Sequence, residues 1–507
     1  MSKKQNQLRM LNGSSVLLES IPILAYNDFF VEVMELLKSP QNHCVSYYAM
    51  PTSNGLQFFM AVADDEKHDI VVLSHLLLSE QKQELESLTQ KVFALHIFER
   101  EIHENYGVAF LHHPWQKPVR YAHNRADQNA KVSDYPFYSI ASEELHEVGV
   151  GPVHAGIIEP GHFRFICNGE NVLHLEIQLG WQHRGVEKLF LDTTNNLKRN
   201  LLAENIAGDT PIGHATTFAQ TMEALAAVNV PEQLHIERAM ALELERIAIL
   251  TGDISALCVD AAYKLGADVF GILRTAIVNF LQYWCGNRFG KSLIRIGGTN
   301  FTFTETLKLE LSMVLDAFEK KFEMMAARTY RLPSIQNRFE NVGTLTLKQV
   351  QLIGAVGPSA RMAGLKRDIR ISHPRVAGRK FPYQTITSTH GDVFIRFLLK
   401  KKEIRYSIAW LRNVMANYPF CATNIGRPDY KLALQPNRFA ISLNEGWRGE
   451  ICHCAITDTE GELLHYKIKD PSMHNWKALE LSLRNEDISD FPINNKSYNL
   501  SYCGHDL

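Results

Sequence analysis

The stretch PEQLHIERAMALELERIAILTGDISALC, residues 231–258, decides the fold class of this chain. Its apolar residues recur at helical spacing, and Pro231 stands where a helix begins. Two similar stretches follow, LGADVFGILRTAIVNFLQYWCG at 265–286 and TETLKLELSMVLDAFEKKFEMMAARTY at 304–330. Long helices in succession predict a helical bundle as the core of this part of the chain.

The segments before the bundle predict an α+β protein with more than one domain. Residues 1–125 predict an N-terminal α/β accessory domain, with strands at GLQFFMAVA and HDIVVLSHLLL. A helical stretch is expected over 79–107, where Gly107 is the stop signal. The polar residues 126–146 lack periodicity and predict an inter-domain linker.

The second domain is predicted over 147–507. It opens with a small antiparallel sheet interrupted at EPGH and NGEN, continues as the bundle, and returns to strands from about 388. Cys452 and Cys454 flank His453 in a predicted hairpin. A metal site and two neighbouring core cysteines both remain open there, and the alternation of a strand favours the core.

Composition narrows the class of protein. The chain has 507 residues, and its 53 basic and 55 acidic side chains give a net charge of −2, which argues against a nucleic-acid-binding face. It has no run of 18 apolar residues and no signal-peptide pattern, so we expect neither a membrane span nor a leader. The eight cysteines lack CxxC spacing and predict reduced thiols of a cytosolic protein. GxGxxG, GxxxxGK[ST] and HExxH are absent.

Six ordered motifs resemble a known family. They are GPVHAGIIEPGHFRF, GENVLHLEIQLGWQHRGVEKL, GNRFGKSLIRIGG, VGPSARMAG, RDIRISHP and GDVFIRF. They resemble the large subunit of membrane-bound group 4 nickel–iron hydrogenases and the quinone-site subunit of complex I, an NADH:quinone oxidoreductase. Upstream, FEREIHENYGVAFLHHP resembles the accessory complex I subunit that is fused in front of the large subunit in formate hydrogenlyase.

The metal ligands of that family do not match. The hydrogenase motif E-R-x-C-G-x-C-x-x-x-H falls on 204–214 and places its cysteines at Ala207 and Thr210. The second motif, D-P-C-x-x-C, falls on 499–504 and places its cysteines at Ser501 and Gly504. Nickel and iron need soft thiolates, so we expect neither a nickel–iron centre nor hydrogen turnover. The chain ends at Leu507, so we also expect no maturation extension.

The quinone subunit of complex I is matched only in part. The resemblance places its quinone-contacting histidine at His162 or His154, but its quinone tyrosine falls on Gly208 and a further histidine on Gly290. The chain therefore resembles more closely the hydrogenase-related complexes that lack nickel-binding cysteines. This implies a peripheral subunit on the cytoplasmic side of the cell membrane. Its implied partners are an iron–sulfur subunit, which carries the cluster, and antiporter-like membrane subunits.

A polar shell is expected around the former metal position, with no cofactor bound directly and a quinone as the possible occupant. The candidate catalytic residues are Glu204, Asp209, His162 and His214. The candidates for a quinone pocket or for contact with the iron–sulfur partner are His154, Glu159, Arg164, His183, Arg184 and Arg361. Two alternatives stay open: a non-catalytic scaffold with a filled cavity, and a site for a harder metal that uses Asp209, His214, Glu204 and His505.

Overall fold

The computed structural model describes residues 6–154, 158–421 and 425–507. The elements of the first part are β1 (Leu8–Met10), β2 (Ser14–Leu17), β3 (Ile23–Leu24), α1 (Tyr26–Leu37), β4 (Asn42–Thr52), β5 (Gly55–Asp64), β6 (Asp69–Leu78), β7 (Glu84–Glu86), α2 (His96–Tyr106) and β8 (Ala109–Leu111). Strands β1, β6, β5 and β4 form an antiparallel sheet in that order, and β3 joins β6 in parallel. The helices α1 and α2 pack against this sheet through an apolar core that includes Phe29, Phe58 and Phe98.

The helix predicted over 79–107 is wrong in its first half. Residues 84–86 form β7, which pairs with β8, and only 96–106 are α-helical. The buried carboxylate of Glu99 explains the difference, because it accepts the Leu88 N–H at 2.8 Å and the Ser87 hydroxyl at 2.5 Å and so fixes a turn. The predicted stop at Gly107 is confirmed, since this residue ends α2 with φ +73°.

The second part holds three strands, a long helical series, a second sheet and three terminal helices. Its elements are β9 (His146–Val150), β10 (His162–Asn168), β11 (Asn171–Gln178), α3 (Val186–Asp192), α4 (Asn196–Ala203), α5 (Pro211–Ala226), α6 (Glu232–Asp260), α7 (Lys264–Cys285), α8 (Glu305–Thr329), α9 (Pro333–Phe339), α10 (Leu347–Leu352), α11 (Pro358–Arg361), α12 (Ile369–Ser372), α13 (Val376–Lys380), α14 (Val393–Asn417), β12 (Arg438–Gly446), β13 (Gly449–Thr457), β14 (Leu463–Lys469), α15 (Ser472–Ser482), α16 (Phe491–Tyr498) and α17 (Tyr502–Asp506).

The predicted bundle and the small sheet are both confirmed, as is the α+β class. Helix α6 is buried along most of its length and packs on α5, α7 and α14. Helix α7 in turn packs on α8. The order β11–β10–β9 forms the antiparallel three-stranded sheet. Within the described residues, no helix combines the length and the apolar content that a membrane crossing needs.

The predicted return to strands at about 388 is wrong, because strands resume only at Arg438. Residues 393–417 form α14 instead, and the Asp392 side chain caps this helix by accepting the Ile395 N–H at 2.8 Å. The buried face of α14 includes the charged residues Arg396, Lys400 and Glu403, so apolar residues alone do not mark one side of this helix in the sequence.

The second sheet joins the two parts of the chain. Its order is β14–β13–β12–β2, so an N-terminal strand completes a sheet built from C-terminal strands. The hairpin prediction is confirmed: Cys452 and Cys454 lie on β13 in the apolar core shared with the first sheet. His453 points the other way, toward α5, so the cysteines and the histidine do not share a face. The domain bounds at 125 and 147 stay a prediction.

Candidate functional site

Arg184 connects the two segments that carry the positions matching the hydrogenase cysteines: residues 204–210, the first loop, and residues 499–504, the second loop, which includes the start of α17. Its guanidinium donates to the carbonyl oxygens of Asn205 at 2.5 Å and Ile206 at 2.8 Å in the first loop. It also donates to the Cys503 carbonyl in the second loop at 2.9 Å. Glu187, three residues after Arg184, pairs with Lys467 and not with Arg184.

The turn at 183–185 also holds Asp506 and Leu507. The backbone N–H groups of Arg184 and Gly185 donate to the Leu507 carbonyl at 2.7 and 3.1 Å. The His183 ring donates to the Asp506 carbonyl at 2.8 Å. His183 and Arg184 therefore position the wall of the candidate site through backbone groups.

The four former ligand positions are all buried and packed. Ala207 and Gly504 carry no donor atom, and a Cβ placed on Gly504 would lie 2.7 Å from Cγ and Oδ2 of Asp470. The Ser501 hydroxyl accepts the Gly504 N–H at 2.9 Å and caps α17. The space next to Gly504 is thus filled by the carboxylate of Asp470.

The Arg448 guanidinium bonds to both loops. No sequence motif indicated a role for Arg448. Its guanidinium forms two bonds with the Asp209 carboxylate, at 2.5 Å and 2.7 Å. It also donates to the Thr210 hydroxyl at 3.2 Å and to the Asn499 carbonyl at 2.5 Å. Burial lowers the pKa of Arg448, but the Asp209 carboxylate outweighs that effect and leaves the pKa above its ordinary value. The bidentate pair holds Arg448 against the first loop, and the bond to Asn499 connects it to the second loop.

A chain of four buried side chains runs from the second loop into the core. The His214 ring lies 3.0 Å from Asp470 through Nε2 and 3.2 Å from His453 through Nδ1. Nδ1 of His453 lies 2.8 Å from the Tyr466 hydroxyl. All four side chains are essentially inaccessible to solvent.

The arrangement satisfies every member with both histidines neutral. Tyr466 donates to His453, His453 donates to His214, and His214 donates to Asp470. Burial raises the pKa of Asp470, but the interactions with His214, Arg448 and Ser472 together outweigh burial and hold the pKa below its ordinary value. Burial, followed by the nearby His214, lowers the pKa of His453 well below its ordinary value.

Two buried glutamates flank the first loop. Glu204 pairs with Arg295 and accepts the Ser292 N–H at 2.7 Å, so this candidate catalytic residue is held by an arginine. Glu245 accepts the N–H groups of Ile212 and Gly213 at the start of α5, at 2.8 and 3.3 Å. Burial first, and then the Asp209 charge, raise the pKa of Glu245 to about 8. Nothing in the sequence distinguished Glu245 from the other glutamates of α6.

The candidates between β9 and β10 are held mostly by their own loop. The rings of His154 and His162 donate to the carbonyls of Gly161 at 2.8 Å and Gly151 at 3.1 Å. Arg164 pairs with Glu147 on the neighbouring strand. Glu159 alone reaches the second loop, where its carboxylate accepts the Cys503 N–H at 3.4 Å.

Arg361 lies apart from these loops, in a fully buried ion cluster. It pairs with Glu445 at 2.6 Å and with Glu403 at 2.9 Å. Its side chain has no exposed surface, so it presents nothing to a partner subunit.

The candidates for a harder metal are each bound to a separate partner: Asp209 to Arg448, Glu204 to Arg295, His214 to Asp470 and His505 to Asp506. Within the described residues, no group of three metal-ligating side chains converges.

The two glycines at the complex I positions differ in their surroundings. A Cβ on Gly208 would meet no atom within 4 Å, so the tip of the first loop is open. A Cβ on Gly290 would lie 2.5 Å from Cδ1 of Ile212, so that position is closed. The open position lies beside Asp209, whose side chain is 34% exposed.

Two family models match this chain. The model described as respiratory-chain NADH dehydrogenase, 30 Kd subunit, matches residues 24–126, and the model for the 49 Kd subunit matches residues 269–440.

Curated relatives match nearly the whole chain. Hydrogenase-4 component G of Escherichia coli is 26% identical over 93% of this chain and 81% of the relative. Formate hydrogenlyase subunit 5 of the same organism is 23% identical, over 89% and 80%. The C/D subunit of NADH-quinone oxidoreductase from Phocaeicola vulgatus is 24% identical, over 86% and 89%. The chain is thus similar in its first part to the 30 Kd subunit of complex I and in its second part to the 49 Kd subunit, and its relatives include subunits of hydrogenase-4, formate hydrogenlyase and NADH-quinone oxidoreductase.

Proposed function

We propose that this chain is the large subunit of a redox-linked, ion-translocating membrane complex and that it works there without a nickel–iron centre. Its relatives are subunits of complex I-like and hydrogenase-related complexes, and one is named a membrane-bound hydrogenase subunit alpha. The proposed partners are an iron–sulfur subunit, which would carry the cluster, and antiporter-like membrane subunits on the cytoplasmic side of the membrane.

The filled space at Gly504 is the observation that carries this proposal. Nickel and iron need thiolates, and Ala207 and Gly504 offer no ligand atom. A side chain at Gly504 would displace Asp470 from its bonds with His214 and the Ser472 N–H. The residues present therefore do not fit a nickel–iron centre, and no step of the proposed function passes through one.

The charge network that replaces the metal suits a coupling role. The Asp209–Arg448 pair ties the first loop to the second, and the Asp470–His214–His453–Tyr466 chain can hold a proton beneath them. A change of charge on a neighbouring iron–sulfur partner would shift the protonation of such a chain, because buried charges interact strongly. The subunit would in this way connect electron transfer in its partner to events at the membrane.

A second candidate function is the binding of an organic carrier such as a quinone at the tip of the first loop. The open space at Gly208 favours it, since Asp209 and the Glu159–Cys503 contact lie next to that space. A bound quinone would supply two-electron acceptor chemistry there. The carboxylates of Asp209 and Glu159 would accept hydrogen bonds from the reduced carrier, while burial raises the pKa of Cys503 to about 11 and keeps its thiol protonated at neutral pH.

Purification of the tagged chain from its own cells tests the assembly. We expect it to bring down an iron–sulfur protein and multi-span membrane proteins, identified by mass spectrometry. Purification of the chain alone from solubilised membranes would contradict the proposal.

Variants of the reconstituted complex separate the two roles. If the chain couples electron transfer to ion translocation, Asp470→Asn lowers the number of ions moved per electron in vesicles. Gly208→Leu leaves this number unchanged. If a quinone binds at the loop tip, Gly208→Leu and Asp209→Asn weaken the binding of a quinone analogue.

A further inference from the structure

A cavity of about 60 Å³ lies between α5, α6, β12 and the segment that leads into α13. Its wall includes Thr216 from α5, His235 and Arg238 from α6, Arg375 and Asn444. The cavity has room for about two water molecules at about 30 Å³ each, or for one group of similar size. None of these five residues belongs to the two loops of the candidate site.

Arg375 is the exception among the arginines of this wall. Arg238 forms two bonds with Glu223, at 2.9 and 2.6 Å, and Arg370 pairs with Asp368 at 2.6 Å. Arg375 donates through Nη1 to the Asn12 carbonyl at 2.8 Å but forms no ion pair within 4.0 Å among the residues that the structure describes.

The surroundings leave this charge poorly compensated. Burial lowers the pKa of Arg375 to about 10; the distant Glu223 raises it, and Arg238 and Arg379 lower it further. A buried cation without an anion is costly, so an anion that entered the cavity would be stabilised.

Two further groups on the wall offer hydrogen bonds that the protein does not use. The Thr216 hydroxyl and the His235 Nδ1 have no hydrogen-bond partner among the described residues. Burial, followed by Arg238 and Arg375, lowers the pKa of His235 to about 3, so this ring is neutral and can donate from Nδ1.

The carboxylates on the wall are already neutralised by arginines. Glu243 pairs with Arg370 at 3.1 Å, and Glu445 pairs with Arg361 at 2.6 Å. Arg375 is therefore the cationic group of the wall that remains available to pair with an incoming anion.

We propose that this cavity binds a small oxyanion, the carboxylate or phosphate group of a ligand, on the guanidinium of Arg375. The planar guanidinium matches either group in geometry, and the Thr216 hydroxyl and the His235 ring donate to its remaining oxygens. Because Arg375 also holds Asn12, binding of the anion would stabilise the N-terminal segment that leads into β2.

Calorimetric titration of the full-length chain tests the site, with inorganic phosphate and acetate as separate probes and chloride as the control anion. We expect saturable binding of phosphate, acetate or both, and none of chloride. The probe that binds more tightly identifies the headgroup chemistry. Absence of saturable binding for both probes would overturn the proposal.

Three variants locate the binding. Arg375→Gln is expected to weaken it about tenfold or more, since a charged hydrogen bond is lost. Arg379→Gln, an exposed neighbour on α13, is the matched control and should leave affinity unchanged. Thr216→Val keeps the Asn12 contact and the side-chain shape, and it should weaken binding severalfold even if Arg375→Gln fails to fold. Equal affinity in wild type and Thr216→Val would remove the hydroxyl from the site, and equal affinity in wild type and Arg375→Gln would place the bound anion outside this cavity and overturn the proposal.

Discussion

The ion pair between Arg448 and Asp209 allows a quantitative test of how the two loops are held. Removing one partner of a fully buried pair costs about 3–5 kcal/mol. The Arg448 side chain is 4% exposed, but that of Asp209 is 34% exposed, so solvent screens part of the interaction. We therefore expect Arg448→Met to lower the free energy of unfolding by about 2–3 kcal/mol.

A double-mutant cycle isolates the pair from the other contacts of Arg448. Arg448→Met also removes the bond to the Asn499 carbonyl and the contact with the Trp447 ring, whose centroid lies 3.9 Å from Cζ. These losses appear both in the wild-type background and in the Asp209→Asn background, so they cancel in the coupling energy. We expect a coupling energy of about 1–2 kcal/mol between the two positions.

Urea unfolding of wild type, Arg448→Met, Asp209→Asn and the double variant supplies the four free energies. The m-values should agree, because the surface exposed on unfolding does not change. A coupling energy within about 0.3 kcal/mol of zero would refute the view that this charge pair joins the loops.

Three further predictions follow from the same region. Gly504→Ala should lower the free energy of unfolding by about 1–3 kcal/mol in urea, since its Cβ overlaps Asp470; an unchanged midpoint would mean that the space is not filled. Glu245, whose folded pKa is raised to about 8, binds a proton between pH 4.5 and 8 that the unfolded chain has released, so stability falls as the pH rises through this window. Glu245→Gln should remove that slope from the urea midpoint measured against pH, and a persisting slope would assign it to other groups. Tyr466→Phe should lower the free energy of unfolding by about 1–3 kcal/mol in thermal or urea unfolding, because it leaves His453 Nδ1 without a donor. Tyr47→Phe is the matched control and should leave this free energy nearly unchanged, since the Tyr47 hydroxyl has no partner among the described residues.

Elements with a one-sided or regular pattern were predictable from the sequence. Helix α6 shows apolar residues at helical spacing after Pro231, and β10 and β11 are separated by a glycine turn. Helix α14 was not predictable from hydrophobic spacing, because its buried face carries the charged residues Arg396, Lys400 and Glu403. The region around Glu99 was missed because a buried carboxylate, and not backbone periodicity, organises the turn before α2.

The candidate site was predictable where the motifs are local. The resemblance located Ala207, Thr210, Ser501 and Gly504, which lie in two adjoining loops. Arg448 could not be found in this way, since it acts on Asp209 from a turn 239 residues further along the chain. The role of His453 could not be predicted either. In the sequence it lies between two cysteines, but side chains alternate along a strand, so His453 lies on the opposite face and contacts His214.

The metal content of the purified native complex tests the central claim most directly. We expect elemental analysis by mass spectrometry to find iron, contributed by the iron–sulfur partner, and no stoichiometric nickel. Nickel present in equal amount to this chain, and lost on substitution of Asp209 or His214, would show that the loops bind a metal and would contradict the account.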